Sequence, residues 1–364
     1  MEKYLCITEI IFRSSNRENV LPVKLSCSLG NIMVELSKAQ EERALRLHKE
    51  AIVIDTHCDS LGGYLPRGRA PPRNFVEGSE EGQIDLPRLI EGGVTCQTFA
   101  MFTATRAIVP EATLRALQMV DKFYEMTADP RFTAVTTVDE IKEAKKKNQV
   151  CGLLSIEGAE PLMGEIPLLR VFYRLRVRML SFAWNYRTPF ADGLGAIRAE
   201  SKLPDLGVKA LEEMDRLGMV FDVSHLTDSV FWDVNDVMKG PFIASHSNCR
   251  DICDHARNLT DDMIQALADH DGVMGMNYLG AFVDKEKPSL EKLVDHIDRI
   301  VKLVGPEHVG LGSDYDGGGN LPDLEDTSKV PNITRELVRR EYRDDDILKI
   351  LGENHLRVFK AVFK

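Results

Sequence analysis

Six residues suited to metal binding or acid–base chemistry stand just past short apolar runs in this chain of 364 residues. AIVID (51–55) runs into Thr56, His57, Cys58 and Asp59; CGLLSI ends in Glu157, MVFDVS in His225, PFIAS in His246 and HVGLGS in Asp314. His57 and Asp59 are two apart, so on an extended chain they face the same way and can chelate one ion. Imidazole and carboxylate ligands suit zinc, and a carboxylate such as Glu157 has two oxygens with which to bridge two ions. Two ions about 4 Å apart share a hydroxide nucleophile and polarise a scissile carbonyl. An H-x-D pair, or any single histidine, occurs readily by chance. Five different apolar runs ending in such residues do not.

The neighbouring candidates divide. Asp314 and Asp316 in SDYDGGG resemble a carboxylate pair or a calcium loop, but the downstream ligands of an EF-hand are missing. Asp314 is therefore read as functional and Asp316 as structural. Cys58 is turned away from the ligands by the strand period and reads as a packed thiol. His48, His270, His296, His308 and His355 lie on or beside helical segments and are expected to have no metal role. Arg257, in CRDICDHARNLTDD after the His246 run, is open to two readings. It is either a bidentate clamp for a substrate carboxylate or a surface arginine paired with Asp254 or Asp261.

The elements that must position these side chains are legible as alternation. Strand candidates fall at 51–55, 94–102, 150–156, 177–180, 219–223, 241–244, 272–276 and 308–312, with an extra segment near 131–135. Helix-period segments fill the gaps at roughly 112–127, 138–147, 162–174, 205–217, 227–238, 260–270 and 289–304, and VELSKAQEERALRLHKEA precedes the first strand. Eight strands alternating with helices, without a glycine-rich phosphate loop, predict a single (β/α)8 TIM-like barrel with its chemistry at the C-terminal ends of the strands. Residues 39–364 are assigned to this domain. Residues 1–38 are assigned to an N-terminal extension of unknown role, with Met33 an alternative start.

Composition narrows the partners. A net charge of −11 with no basic run argues against nucleic acid. No stretch reaches the roughly 18 apolar residues of a membrane span, and MEKYLCITEIIF lacks the features of a secretory leader, so no membrane partner is expected. Seven cysteines in an odd set, with no disulfide-like spacing, fit reduced thiols in a cytoplasmic protein.

The motifs IDTHCD, SIEGAE, FDVSH, IASHSN with ARNLTDDM, GLGSDYDG and LGENHLRVF occur in the order seen in the membrane (renal) dipeptidase family, from about Ala51 to Phe363. The resemblance implies a barrel of the amidohydrolase superfamily with two zinc ions per subunit that cleaves dipeptides by a metal-bridging hydroxide. By that resemblance His57 and Asp59 hold one ion, Glu157 bridges, and His225 and His246 hold the other. Asp314 becomes the acid–base carboxylate, and Arg257 the residue that holds the substrate's C-terminal carboxylate. A homodimer is common in the family, and so is tolerance of a C-terminal D-residue. Two positions depart from the animal pattern: Trp184 stands where a substrate-binding histidine is found, and Leu279, beside Tyr278, where an aromatic residue is frequent. Trp184 is carried forward as a substrate-binding residue. The departures motivate one alternative, a lactonase or amidase on another small carboxylated substrate; a catalytically silent metal-stabilised binding protein is the other, against which the presence of all five proposed ligands and Asp314 argues.

Overall fold

The apolar runs form strands buried on both faces, which is what a parallel sheet covered by helices requires. The computed structural model describes residues 36–66, 71–103, 109–196, 198 and 201–364. Most of the expected N-terminal extension lies outside the described residues, which form one compact unit from Leu36 to Lys364.

Among the described residues the strands are β1 (Val53–Cys58), β2 (Val94–Phe102), β3 (Phe132–Ala134), β4 (Val150–Glu157), β5 (Val177–Ser181), β6 (Val220–Phe221), β7 (Ile243–Ser247), β8 (Val273–Met276) and β9 (Val309–Leu311). They pair in parallel in the order β6-β5-β4-β2-β1-β9-β8-β7. The extra segment is β3, which pairs Phe132 with Val150 and Ala134 with Gly152 at the start of β4. The circle closes between β6 and β7, where the Val223 N–H donates to the Ile243 carbonyl at 2.8 Å. The architecture is the expected (β/α)8 barrel.

Two buried aspartates fasten strand tips together. Asp55 Oδ1 accepts from the N–H groups of His57 (3.1 Å) and Ser313 (2.9 Å), joining β1 to the end of β9. Asp222 Oδ1 accepts from the N–H groups of Ser224 (2.9 Å) and Ser245 (2.8 Å), joining the end of β6 to β7. Each pair of N–H groups lies beside a proposed ligand, so the staples set where those ligands emerge.

The expected helices form at Pro110–Met126, Val138–Lys146, Ile166–Arg174, Asp205–Leu217, Asp228–Val237, Asp261–Asp269 and Leu290–Val304. Their starts follow from side-chain capping. Thr137, Thr227, Thr260 and Ser289 each accept a backbone N–H three residues on, and Thr137 with Glu140 completes a capping box. Ser37 and Gln40 do the same for the helix Lys38–Glu50. The sequence assignment missed the short helices Leu86–Glu91, Pro331–Arg339, Asp344–Leu348 and Asn354–Val362. No helix among the described residues is long and apolar enough to cross a membrane.

Candidate active site

His57 lies in β1 and Asp59 just beyond it; Glu157 ends β4; His246 lies in β7; His225 and Asp314 follow β6 and β9. All six therefore meet at one end of the barrel. His225 and Asp314 hold left-handed backbone conformations (φ 71° and 61°), of the kind concentrated at functional sites. His57 Nε2 faces Asp59 Oδ2 at 3.5 Å, Glu157 Oε2 at 3.7 Å and Asp314 Oδ1 at 4.0 Å. Glu157 Oε1 turns the other way, 2.9 Å from His225 Nε2 and 3.6 Å from His246 Nε2. The two oxygens of Glu157 thus face two separate groups of donors, as a bridging carboxylate must.

Whether a cation fits can be judged from the protons. His225 Nδ1 lies 3.2 Å from Asn185 Oδ1, an acceptor, so its proton sits on Nδ1. His246 Nδ1 lies 2.7 Å from Ser245 Oγ, which gives its own proton to Asp222 Oδ2 at 2.5 Å. Ser245 must then accept from His246, whose proton also sits on Nδ1. Both Nε2 atoms consequently present lone pairs, and they are only 3.0 Å apart beside a carboxylate oxygen. Neither ring offers a proton to this meeting point, and a cation there would satisfy all three electron pairs. On the other side of Glu157, Asp59 Oδ1 is buried without a hydrogen-bond partner. Among the described residues these donors fall into three overlapping groups, His57 with Asp59 and Glu157, Glu157 with His225 and His246, and His57 with His246 and Asp314, each suited to a divalent metal.

The electrostatics agree. Burial alone would lower the pKa of His57, but Glu157, Asp59 and Asp314 outweigh it and lift the value to about 10, a measure of how strongly this point favours positive charge. Burial, and then the Asp59 charge, push the Glu157 carboxyl well above its ordinary range. His225 and His246 are pushed down by burial, aided by the Arg257 and His57 charges, which keeps them neutral as ligands must be. Burial raises Asp314 to about 6, and the Asn277 amide donates to its Oδ2 at 3.0 Å.

Arg257 is not the surface arginine of the alternative reading. It is only 4% exposed, and Asp261 pairs with Arg299 instead. Arg257 Nη1 donates to Ser247 Oγ at 2.8 Å, whereas Nε and Nη2 are buried with no partner. Those two atoms form one edge of the guanidinium plane, the edge that takes a carboxylate side-on. A cavity of about 490 Å³ opens above the cluster, with Asp59, Glu157, His225 and Asp314 among its lining residues. Trp184 lines it too, its ring centroid 5.0 Å from Phe102, 5.5 Å from Tyr186 and 5.9 Å from His225. Leu279 and Phe282 also line it, while Tyr278 is buried against Tyr315.

Asp316, read as structural, lines the same cavity, but its carboxylate is taken up by Arg73, Ser60 and the Gln83 N–H. Cys58 is a fully buried thiol. His48 bonds Thr334 and the Gly92 carbonyl, His296 the Cys249 N–H and the Val283 carbonyl, and His308 the Gly272 carbonyl. The sequence reading passed over Asn185, Asp222, Ser245 and Asn277. Asn277 directly follows β8, so the strand-end rule that found the others would have found it as well.

A model of the family described as membrane dipeptidase (peptidase family M19) matches residues 41–364. The chain belongs to the membrane dipeptidase family. Its similarity to Dipeptidase 3 of Rattus norvegicus is 31% identity over 331 residues, 88% of this chain and 67% of that one. Against Dipeptidase 3 of Mus musculus it is 33% over 334 residues, 88% and 66% respectively. The chain therefore spans about two-thirds of the length of these curated relatives. The fold superposes on a metallopeptidase from Rhodobacter sphaeroides, liganded with a phosphinate mimic of the dipeptide L-Ala-D-Ala, with a TM-score of 0.79 and 26% identity. That match covers 86% of this chain and 99% of the other. Membership in a metallopeptidase family implies a metal cofactor, in keeping with the donor set.

Proposed function

We propose that this chain hydrolyses dipeptides at a two-zinc centre, with His57 and Asp59 holding one ion, His225 and His246 the other, and Glu157 bridging them. The observation that carries this reading is the meeting of the His225 and His246 Nε2 lone pairs, 3.0 Å apart, on Glu157 Oε1. Bound zinc supplies Lewis acidity there, lowering the pKa of water and polarising the peptide carbonyl. The free Nε and Nη2 edge of Arg257 takes the substrate's C-terminal carboxylate, which limits substrates to short peptides. Asp314, raised to about 6 and steadied by Asn277, accepts the proton of the attacking water and returns it to the leaving amine. Trp184 lines the substrate cavity. The Rhodobacter sphaeroides relative, liganded with a mimic of L-Ala-D-Ala, supports tolerance of a C-terminal D-residue.

The test is a panel of L-L and L-D dipeptides offered to purified protein with two equivalents of zinc, beside Asp314→Asn. Turnover by the parent, and loss of turnover with retained zinc in the variant, are expected. A panel left uncut by the zinc-loaded parent refutes the reading. Trp184 and Leu279 both line the cavity, and this favours a second reading as lactonase or amidase. Faster turnover of lactones or N-acyl amino acids than of any dipeptide would select it.

A further inference from the structure

Asp222 lies too far along the chain of contacts to touch substrate or metal, yet one of its oxygens is committed to something other than the strand staple. Oδ1 holds the N–H groups of Ser224 and Ser245, while Oδ2 accepts the hydroxyl proton of Ser245 at 2.5 Å. Ser245 Oγ then accepts from His246 Nδ1 at 2.7 Å. All three side chains are buried, and Asp222 is 6% exposed. The His225 ring has only a neutral amide oxygen, Asn185 Oδ1, in the corresponding place.

We infer that Asp222 is a positioning residue which, through the Ser245 hydroxyl, fixes the proton of His246 on Nδ1 and so keeps Nε2 open as a ligand. The inference rests on the metal-centre reading above. A hydroxyl has one proton, so its direction is set by its strongest acceptor. Asp222 Oδ2 takes the Ser245 hydroxyl proton, and this fixes the polarity of the whole relay: His246 to Ser245 to Asp222. Metal-bound histidines commonly donate their second nitrogen directly to a carboxylate; here a serine stands between, making the relay polar in one direction only.

Asp222→Asn separates the relay from the staple. The asparagine oxygen must keep facing the two backbone N–H groups, because the amide nitrogen there would set donor against donor. The amide N–H is then left facing Ser245 Oγ, which becomes an acceptor on that side and turns its proton toward His246 Nδ1, nearer at 2.7 Å and more basic than the Ser224 Oγ at 3.4 Å. That ring must move its own proton to Nε2, where the metal lone pair was. A carboxylate-to-amide change that leaves geometry intact but traps the wrong histidine tautomer is known in serine proteases. Ser245→Ala instead deletes the link without reversing it and leaves both backbone N–H groups on Asp222.

The experiment combines zinc titration with nitrogen-15 NMR of the histidine rings, on the parent, Asp222→Asn and Ser245→Ala. The parent should bind two equivalents. In Asp222→Asn one equivalent should weaken by about 10- to 100-fold while the other holds, with the melting temperature of the metal-free protein little changed. Ser245→Ala should weaken the same equivalent by a smaller factor. The metal-free parent should show His246 protonated on Nδ1, and the Asp222→Asn protein should show it on Nε2. Parent-like binding of both equivalents in Asp222→Asn overturns the inference, as does equal weakening of both. If that variant does not fold, Ser245→Ala and the parent spectrum decide, and a His246 proton on Nε2 in the parent overturns the inference. A parent that binds no zinc refutes the metal-centre reading instead, while its His246 signal still tests the relay.

Discussion

Arg257→Met offers the sharpest test of substrate recognition, because the structure isolates the part of the guanidinium that remains free. Nη1 is occupied by Ser247, and only the Nε and Nη2 edge is left, buried and without partners. A carboxylate on that edge gains two charge-assisted hydrogen bonds, each contributing about 1.5–3 kcal/mol. Some of this is offset by desolvating the carboxylate, and truncating one member of a buried charged pair typically costs about 2–5 kcal/mol. A value near the upper middle, about 4 kcal/mol, corresponds to roughly a thousandfold in kcat/KM. Methionine preserves the length and apolar bulk of the side chain, so the packing against Phe282, 6.0 Å from the guanidinium carbon, is largely kept. The assay compares a dipeptide with the same dipeptide amidated at its C-terminus, on parent and variant, with zinc content measured in both. The parent should prefer the free acid strongly, and the variant should lose that preference while changing less than about tenfold on the amide. Equal losses on acid and amide, or a loss of zinc in the variant, refute the assignment of Arg257 to the carboxylate.

Two further perturbations probe the scaffold. Gly317→Ala would place a methyl 2.1 Å from Asp59 Oδ2 and 2.4 Å from Asp314 Oδ1, so the ends of two site carboxylates must move while the backbone need not; kcat should fall by about a hundredfold with little change in melting temperature. His355 is fully buried, and burial pushes its pKa down from 6.5 to about 3. The unfolded chain therefore binds a proton that the folded one refuses, so this stability is present above pH 6.5 and is lost as pH falls from 6.5 toward 3. Between pH 7.5 and 5 the loss is about 2 kcal/mol, and urea unfolding of His355→Leu should lack that share of the pH dependence.

The strands were legible because each is a short apolar run buried on both faces, and a run of that kind survives in sequence whatever packs against it. The long helices were legible for a related reason, since their capping residues and 3.6-residue period are local properties. The end of the chain was not. After β9 the helices are only 5 to 9 residues long, and the chain kinks at Gly352, whose backbone leaves the helical region (φ 175°, ψ −19°) and interrupts the phase of the apolar positions that follow. His355 illustrates the consequence. In sequence it is a histidine beside a helix; in the fold its ring packs so tightly against Gly310 that an added Cβ there would lie 2.2 Å from Nε2.

The site divides along the same line between local and non-local information. His57, Asp59, Glu157, His225, His246 and Asp314 each betray themselves by following an apolar run, because a barrel strand delivers its chemistry where its hydrophobicity stops. Asp222 cannot be found that way. It precedes the proposed ligand His225 by three residues, sits in the run itself, and looks like a polar interruption of a strand. Its meaning depends on Ser245, which is 23 residues away and adjacent only because β6 and β7 close the barrel. A proposed ligand's identity is thus written in one strand, but the partners of its second nitrogen are written in the register between two. On this proposal, substitutions that spare all six strand-end residues still silence the centre, by changing which nitrogen of His246 holds the proton.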